Sequence, residues 1–160
     1  MTVTAEDARA FGVEQLQRVT DPDGRVTLPQ NGIVVVYMST CPHCQHSLEN
    51  TNMATRTSNG TPVTWIDLAN PEGMAAFQTL SGVNTENGYS VGGTSITGVP
   101  TTLAMQNGAA TAVLKSGVLH RGDLDMMATA MQESRVPAKG TGANVPNYNA
   151  GPEAVTVRGH

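Results

Sequence analysis

Residues Ile33-Val34-Val35-Val36-Tyr37-Met38-Ser39-Thr40-Cys41-Pro42-His43-Cys44 decide how the chain is read. The first six are apolar and largely β-branched, the pattern of a central strand covered on both faces by helices. Pro42 fits the first turn of a helix, because the N–H it lacks is one that a helix start leaves unbonded in any case. The spacing predicts a helix from Pro42 to about Arg56, with Cys41 at its N-terminal end. Cys41 and Cys44 are the only cysteines among 160 residues. A bridge across so short a loop removes little unfolded-state entropy, so the pair points to chemistry rather than to a staple.

Working outward, Thr4 followed by Ala5-Glu6-Asp7 reads as an N-cap with acidic residues in the first turn of a helix running to about Val19. Asp21-Pro22-Asp23-Gly24 is a turn, and Arg25 to Leu28 is expected as a short strand. Beyond the cysteines, Val63 to Leu68 reads as a strand. Asn70-Pro71-Glu72 opens a short helix with Met74, Phe77 and Leu80 at helical spacing. Residues 81–98 are rich in Gly, Asn, Ser and Thr and are expected as a long loop, ordered or mobile. Gly92-Gly93 lacks the Lys-Ser/Thr that a phosphate loop needs and reads as a turn. Thr101 to Met105 and Ala112 to Leu114 flank Asn107-Gly108, a dipeptide suited to a tight hairpin. Asp123 to Met131 places Leu124, Met127, Ala128 and Met131 on one helical stripe, where the methionines read as core filling. Residues 136–160 carry Pro137, Pro146 and Pro152 with little apolar periodicity, and are expected as a tail that is flexible or ordered only against a partner.

Composition removes several classes. A net charge of −4 and a pI near 5.4 give no basic excess for phosphate neutralisation, so nucleic acid is not an expected partner. The longest uncharged apolar run, Ile33 to Met38, is far below the roughly 20 residues of a membrane span. The opening MTVTAEDARAFG is acidic where a signal peptide is basic and has no apolar stretch before a small-residue cleavage site, so either the chain stays inside, with a cytoplasmic location or incorporation in a particle expected, or a leader is absent from this sequence.

The order of motifs carries a resemblance. The strand ending VVVYMSTCPHC, the WIDLANP segment, Val99-Pro100, and the stretch TTLAMQNGAATAVLKSG up to Gly117 together resemble the thioredoxin superfamily over roughly residues 30–135. The resemblance implies an α/β thioredoxin fold, a central mixed β-sheet flanked by helices, as one domain over residues 1–135. Within it lie a core over 30–135 and an inserted segment at 81–98, with the irregular tail at 136–160 following. CPHC and the Val before Pro100 are similar to periplasmic disulfide-forming oxidases, whereas the run from Val99 to the last helix looks more like thioredoxin. Two departures stand out: Thr40 replaces the usual Trp, and Val35 replaces a buried acid that assists proton transfer.

Thiol-disulfide exchange needs one thiolate, and Cys41 sits where a helix dipole and unpaired amides favour the anion, with His43 adjacent as a donor or positive charge. Cys44, one turn inside, is the expected resolving thiol. The resemblance implies catalytic roles for Cys41, Pro42, His43 and Cys44. It also implies substrate contacts at Val99, at Pro100 in the cis form, and at Gly117, where an extended substrate segment adds like a strand. The implied partners are protein disulfides or dithiols and a redox partner, and the implied redox group is the Cys41-Cys44 disulfide itself, with no cofactor and no metal. By analogy CPHC suggests a potential above thioredoxin's. Three other readings stay open: a zinc site drawing on His43, His46 or His120, since CxxC is also a zinc spacing; a glutathione-dependent glutaredoxin; and a structural protein that uses residues 81–98 and 136–160 to join a larger assembly. Two lysines and an Asn/Thr/Gly-rich surface feed the last of these.

Overall fold

The structure, a computed structural model, describes residues 2–135; the tail expected over 136–160 lies outside them. Thr4 caps helix α1 (Ala5–Val19) in a reciprocal box, its Oγ1 accepting the Asp7 amide at 3.1 Å while the Asp7 carboxylate accepts the Thr4 amide at 3.2 Å. The 21–24 turn follows, with Asp21 Oδ1 accepting the amides of Asp23 and Arg25 at 3.0 and 2.8 Å. Residues 25–28, expected as a strand, do not form one. The backbone beside them is the end of α1, which offers one bridge, Thr20 to Val26, and no ladder.

Strand β1 (Gly32–Tyr37) is buried at every position, as its apolar run requires. Helix α2 (Pro42–Thr51) begins at the N-cap Cys41 and ends at Thr51 rather than near Arg56. Asn52 and Met53 both take left-handed backbone, φ 55° and 51°, which turns the chain out of the helix. That turn lets the Ala54 carbonyl accept the Trp65 indole N–H at 2.9 Å. Strand β2 (Val63–Asp67) leads to α3 (Pro71–Gln78), whose N-cap Asn70 Oδ1 accepts the Glu72 amide at 2.8 Å.

The segment 81–98, expected as a loop, is a small antiparallel sheet of β3 (Val83–Asn84), β4 (Tyr89–Val91) and β5 (Thr94–Ile96). Positive φ at Asn87-Gly88 and at Gly92-Gly93 makes its two turns. Tyr89 anchors it by packing against Phe77 with ring centres 5.2 Å apart and planes tilted by 55°. Strand β6 (Thr101–Gln106) and strand β7 (Ala109–Ser116) form the expected hairpin, with φ 54° at Asn107 and 82° at Gly108. Helix α4 (Asp123–Arg135) closes the described chain.

The main sheet is mixed, ordered β2-β1-β6-β7, with β1 and β2 parallel and the remaining pairs antiparallel. One face packs Val35, Tyr37, Trp65, Ala104 and Leu114 against Cys44 and Leu48 of α2 and Met127 and Met131 of α4. The other packs Val34, Val36, Ile66, Leu103 and Val113 against Phe77 of α3 and Val91 of the small sheet. The chain is therefore a mixed α/β protein with four helices among the described residues. Register fixes one end of this sheet as a row: Asp67 pairs Tyr37, Val36 pairs Thr101, and Thr101 pairs Ser116. Everything that leaves that end of the sheet meets its neighbours there.

Candidate active site

Four segments leave that end of the sheet: 38–41 after β1, 68–70 after β2, Val99-Pro100 before β6, and Gly117 after β7. The site residues expected from sequence, Cys41, Pro42, His43, Cys44, Val99, Pro100 and Gly117, thus lie at one end of the fold.

Cys41 and Cys44 are both free thiols, Cys41 half-buried and Cys44 fully buried. Cys41 is held on both sides: its amide donates to the Met38 carbonyl at 3.0 Å, and its carbonyl accepts the Gln45 amide at 3.1 Å. Its side chain makes no capping bond. The amides of His43 and Cys44 fall in the first turn, where a helix supplies no carbonyl partner, so they and the dipole place positive potential around Cys41. His43 and Pro42 are exposed, and the His43 carbonyl accepts the Ser47 hydroxyl at 3.1 Å. Cys44 Sγ accepts the Met38 amide at 3.4 Å. Burial pushes the Cys44 thiol up to about 12, aided by the hydrogen bond with Cys41 and by the Asp67 charge, while the Met38 N–H pulls the other way. One thiol is thus accessible at a helix start and the other is buried and protonated behind it.

The Val99–Pro100 peptide is cis, as the resemblance implies. Pro100 is buried and Val99 half-buried against the apolar cluster that holds Cys44. The Gly117 amide donates to the Pro100 carbonyl at 2.8 Å, and its φ of 104° is one that residues with a Cβ rarely adopt. The space where a Cβ would stand at Gly117 is open. Ser47 Oγ accepts the Leu119 amide at 2.9 Å and Asn50 Nδ2 donates to the Leu119 carbonyl at 2.9 Å, which ties α2 to the chain beyond Gly117.

The sequence reading missed Asp67. It is 3% exposed at the end of β2, and its Oδ1 accepts the amides of Ser39 at 3.0 Å and Ala69 at 2.9 Å. Its Oδ2 is buried with no hydrogen-bond partner among the described residues, and so is the hydroxyl of Ser39. Tyr37, its neighbour in register, donates its hydroxyl to the Ala8 carbonyl at 2.6 Å. Burial, with the Asp67 charge beside it, pushes the Tyr37 phenol well above its ordinary range. Gly12 of α1 lies directly over both: a Cβ there would stand 2.5 Å from the Tyr37 hydroxyl and 2.9 Å from Asp67 Cβ. A lone charged residue in the strand-like Val63–Leu68 run is the signal that could have found Asp67.

No three His, Cys, Asp or Glu side chains among the described residues are grouped so as to hold a metal ion. Within them, no helix is long and apolar enough to cross a membrane. Two surface clefts lie away from the cysteines, one lined by Asn52, Arg56, Arg121 and Asp125, the other by Leu16, Arg25, Glu72 and Thr79. No family model matches the chain, and no curated protein or solved structure matches it.

Proposed function

We propose that this chain is a thioredoxin-like thiol-disulfide oxidoreductase that exchanges protein dithiols and disulfides through Cys41 and Cys44. The observation that carries the reading is the asymmetry of the pair: Cys41 is accessible at the N-cap of α2, and Cys44 is wholly buried one turn behind it. The strand order, the parallel β1-β2 pair joined through α2, and the cis proline before the β6-β7 hairpin support the fold assignment.

In the reducing direction Cys41 thiolate attacks one sulfur of a substrate disulfide, forming a Cys41–substrate disulfide and releasing the other substrate sulfur as a thiolate. Cys44 then gives up its proton and attacks Cys41 Sγ. The Cys41–Cys44 bond forms, the mixed disulfide breaks, and the second substrate sulfur leaves with the electron pair. The substrate gains two electrons and the enzyme dithiol loses two. An oxidase runs the same steps in reverse. The half-buried Val99 and the open space at Gly117 lie at the end of the sheet from which Cys41 also projects, and they offer backbone suited to an extended polypeptide, which favours protein substrates.

The test is trapping. With Cys44→Ser, incubation with a disulfide-bonded peptide should accumulate a mixed disulfide on Cys41, detected as a mass adduct reversed by reductant, whereas the wild type should release product. Cys41→Ser should neither trap nor turn over. A Cys44→Ser protein that is folded yet forms no adduct counts against the proposal.

A further inference from the structure

Cys44 is a poor nucleophile as it stands: it is fully buried, it is protonated, and Tyr37 and Asp67 share its side of the sheet. Any step in which Cys44 attacks requires a place for its proton. The described titratable groups that act on it are Cys41 of its own helix, Asp67 of β2 and Tyr37 of β1. Cys41 is occupied in the mixed disulfide, and the Tyr37 hydroxyl is committed to Ala8. From α1 the neighbours of Asp67 and Tyr37 are Gly12 and the Ala8 carbonyl, and α4 contributes the apolar Met127 and Met131. Asp67 is the remaining acceptor.

The geometry of its two oxygens differs. Oδ1 takes the amides of Ser39 and Ala69. The amide immediately before Ser39, that of Met38, is the one donated to Cys44 Sγ. Asp67 and Cys44 are therefore held by successive amides of the same turn, the turn whose Met38 carbonyl also anchors Cys41. Oδ2 is buried and has no hydrogen-bond partner among the described residues. Leaving a carboxylate oxygen in that condition is costly, and such groups concentrate where a fold retains them for chemistry.

We propose that Asp67 is the proton acceptor for Cys44 in the resolving step, with Oδ2 taking the proton by way of one water molecule while Oδ1 keeps the Met38–Ser39 turn in place. This rests on the oxidoreductase reading above. The Cys44 S–H bond breaks, its proton goes to Asp67, and its electron pair forms the Cys41–Cys44 bond. The substrate thiolate leaves, and Asp67 later returns the proton to solvent. A carboxyl group from the neighbouring strand β2 thus serves the site although position 35 of β1 is a valine.

Asp67→Asn keeps an Oδ1 acceptor for Ser39 and Ala69 and removes the base. In a single-turnover assay with a chromogenic aromatic disulfide, the Asn variant should form the Cys41 mixed disulfide at close to the wild-type rate and resolve it about 10²-fold more slowly at pH 7. Resolution at the wild-type rate with an unchanged pH profile would overturn the proposal. The wild type supplies a second readout if the variant does not fold. With an internal acceptor, its resolution rate is flat across pH 7 to 9; a rise of tenfold per pH unit over that range means hydroxide removes the proton, and Asp67 does not. If the wild type forms no mixed disulfide at all, the oxidoreductase reading fails and this inference falls with it, an outcome separate from slow or normal resolution.

Discussion

Alkylation of the reduced protein by iodoacetamide at pH 7 should modify Cys41 and spare Cys44. Alkylation requires the thiolate. With its thiol pushed up to about 12, Cys44 has roughly one molecule in 10⁵ ionised at pH 7, against about 3% for a free cysteine of pKa ~8.5. Ionisation alone therefore slows Cys44 by about 3 × 10³ relative to a free cysteine, and zero exposure slows it further. Peptide mapping of a time course, with the urea-unfolded protein as reference, gives both rates. Between pH 7 and 10 the Cys44 rate should rise about tenfold per unit, because its thiolate fraction does. A Cys44 rate within tenfold of the Cys41 rate in the folded protein at pH 7 would refute the assignment of Cys44 as the buried, protonated member.

The same burial makes the reduced fold sensitive to alkali. Cys44 moves from an ordinary value of 9.0 up to about 12, so the unfolded chain loses its proton first; stability is intact below about pH 9 and declines from there to pH 12. Between pH 9 and 10 the slope approaches about 1.4 kcal/mol per pH unit, and urea melts of Cys44→Ala should show it largely removed there; above pH 10 the buried Tyr37 phenol adds a decline that the Ala variant keeps. Gly12→Ala would drive a methyl group into Tyr37 and Asp67, which should cost about 2 kcal/mol and lower Tm by about 6–10 °C. Adding Tyr37→Phe removes the atom met at 2.5 Å and should recover part of that loss, so an additive double-mutant cycle would contradict the packing described. Asn70→Ala removes the cap of α3 and should cost about 1 kcal/mol in a chemical melt while leaving trapping by Cys44→Ser intact.

Much of the fold was legible because local physics and tertiary structure agree there. The β-branched run 33–38 could only be a covered strand, Thr4 and Asn70 cap where their side chains predict, and Asn107-Gly108 makes the hairpin its tolerance of positive φ allows. The disagreements have local causes. The second helix stops at Thr51 because two non-glycine residues, Asn52 and Met53, enter left-handed backbone, and the Ala54 carbonyl that follows meets the distant Trp65 indole, a contact no local pattern encodes. The 81–98 sheet escaped notice because strands of two or three residues are too short to display alternation, and its turn residues dominate the composition. Its order depends on Tyr89 meeting Phe77 and on the Ala110 amide reaching the Ser81 carbonyl, contacts that no local pattern encodes. The site divides the same way. Cys41 and Cys44 are visible as a spacing, and Pro100 and Gly117 through the resemblance. Asp67 is visible as a charge within a strand-like run, but its place beside Tyr37 comes from the parallel register of β1 and β2.

The proposed exchange depends on one reversible bond, and the redox equilibrium of Cys41 and Cys44 measures that bond. Purified protein is equilibrated in defined glutathione or dithiothreitol buffers, the disulfide is quantified by mass after acid quenching and alkylation, and Cys41→Ser serves as control. The titration should show a single two-electron transition, fully reversible and absent in the control. A midpoint above thioredoxin's approximately −270 mV would mark the pair as oxidase- or isomerase-like, and one near that value as a reductase. A protein that stays folded through the titration yet never forms the Cys41–Cys44 disulfide would not be a thiol-disulfide oxidoreductase.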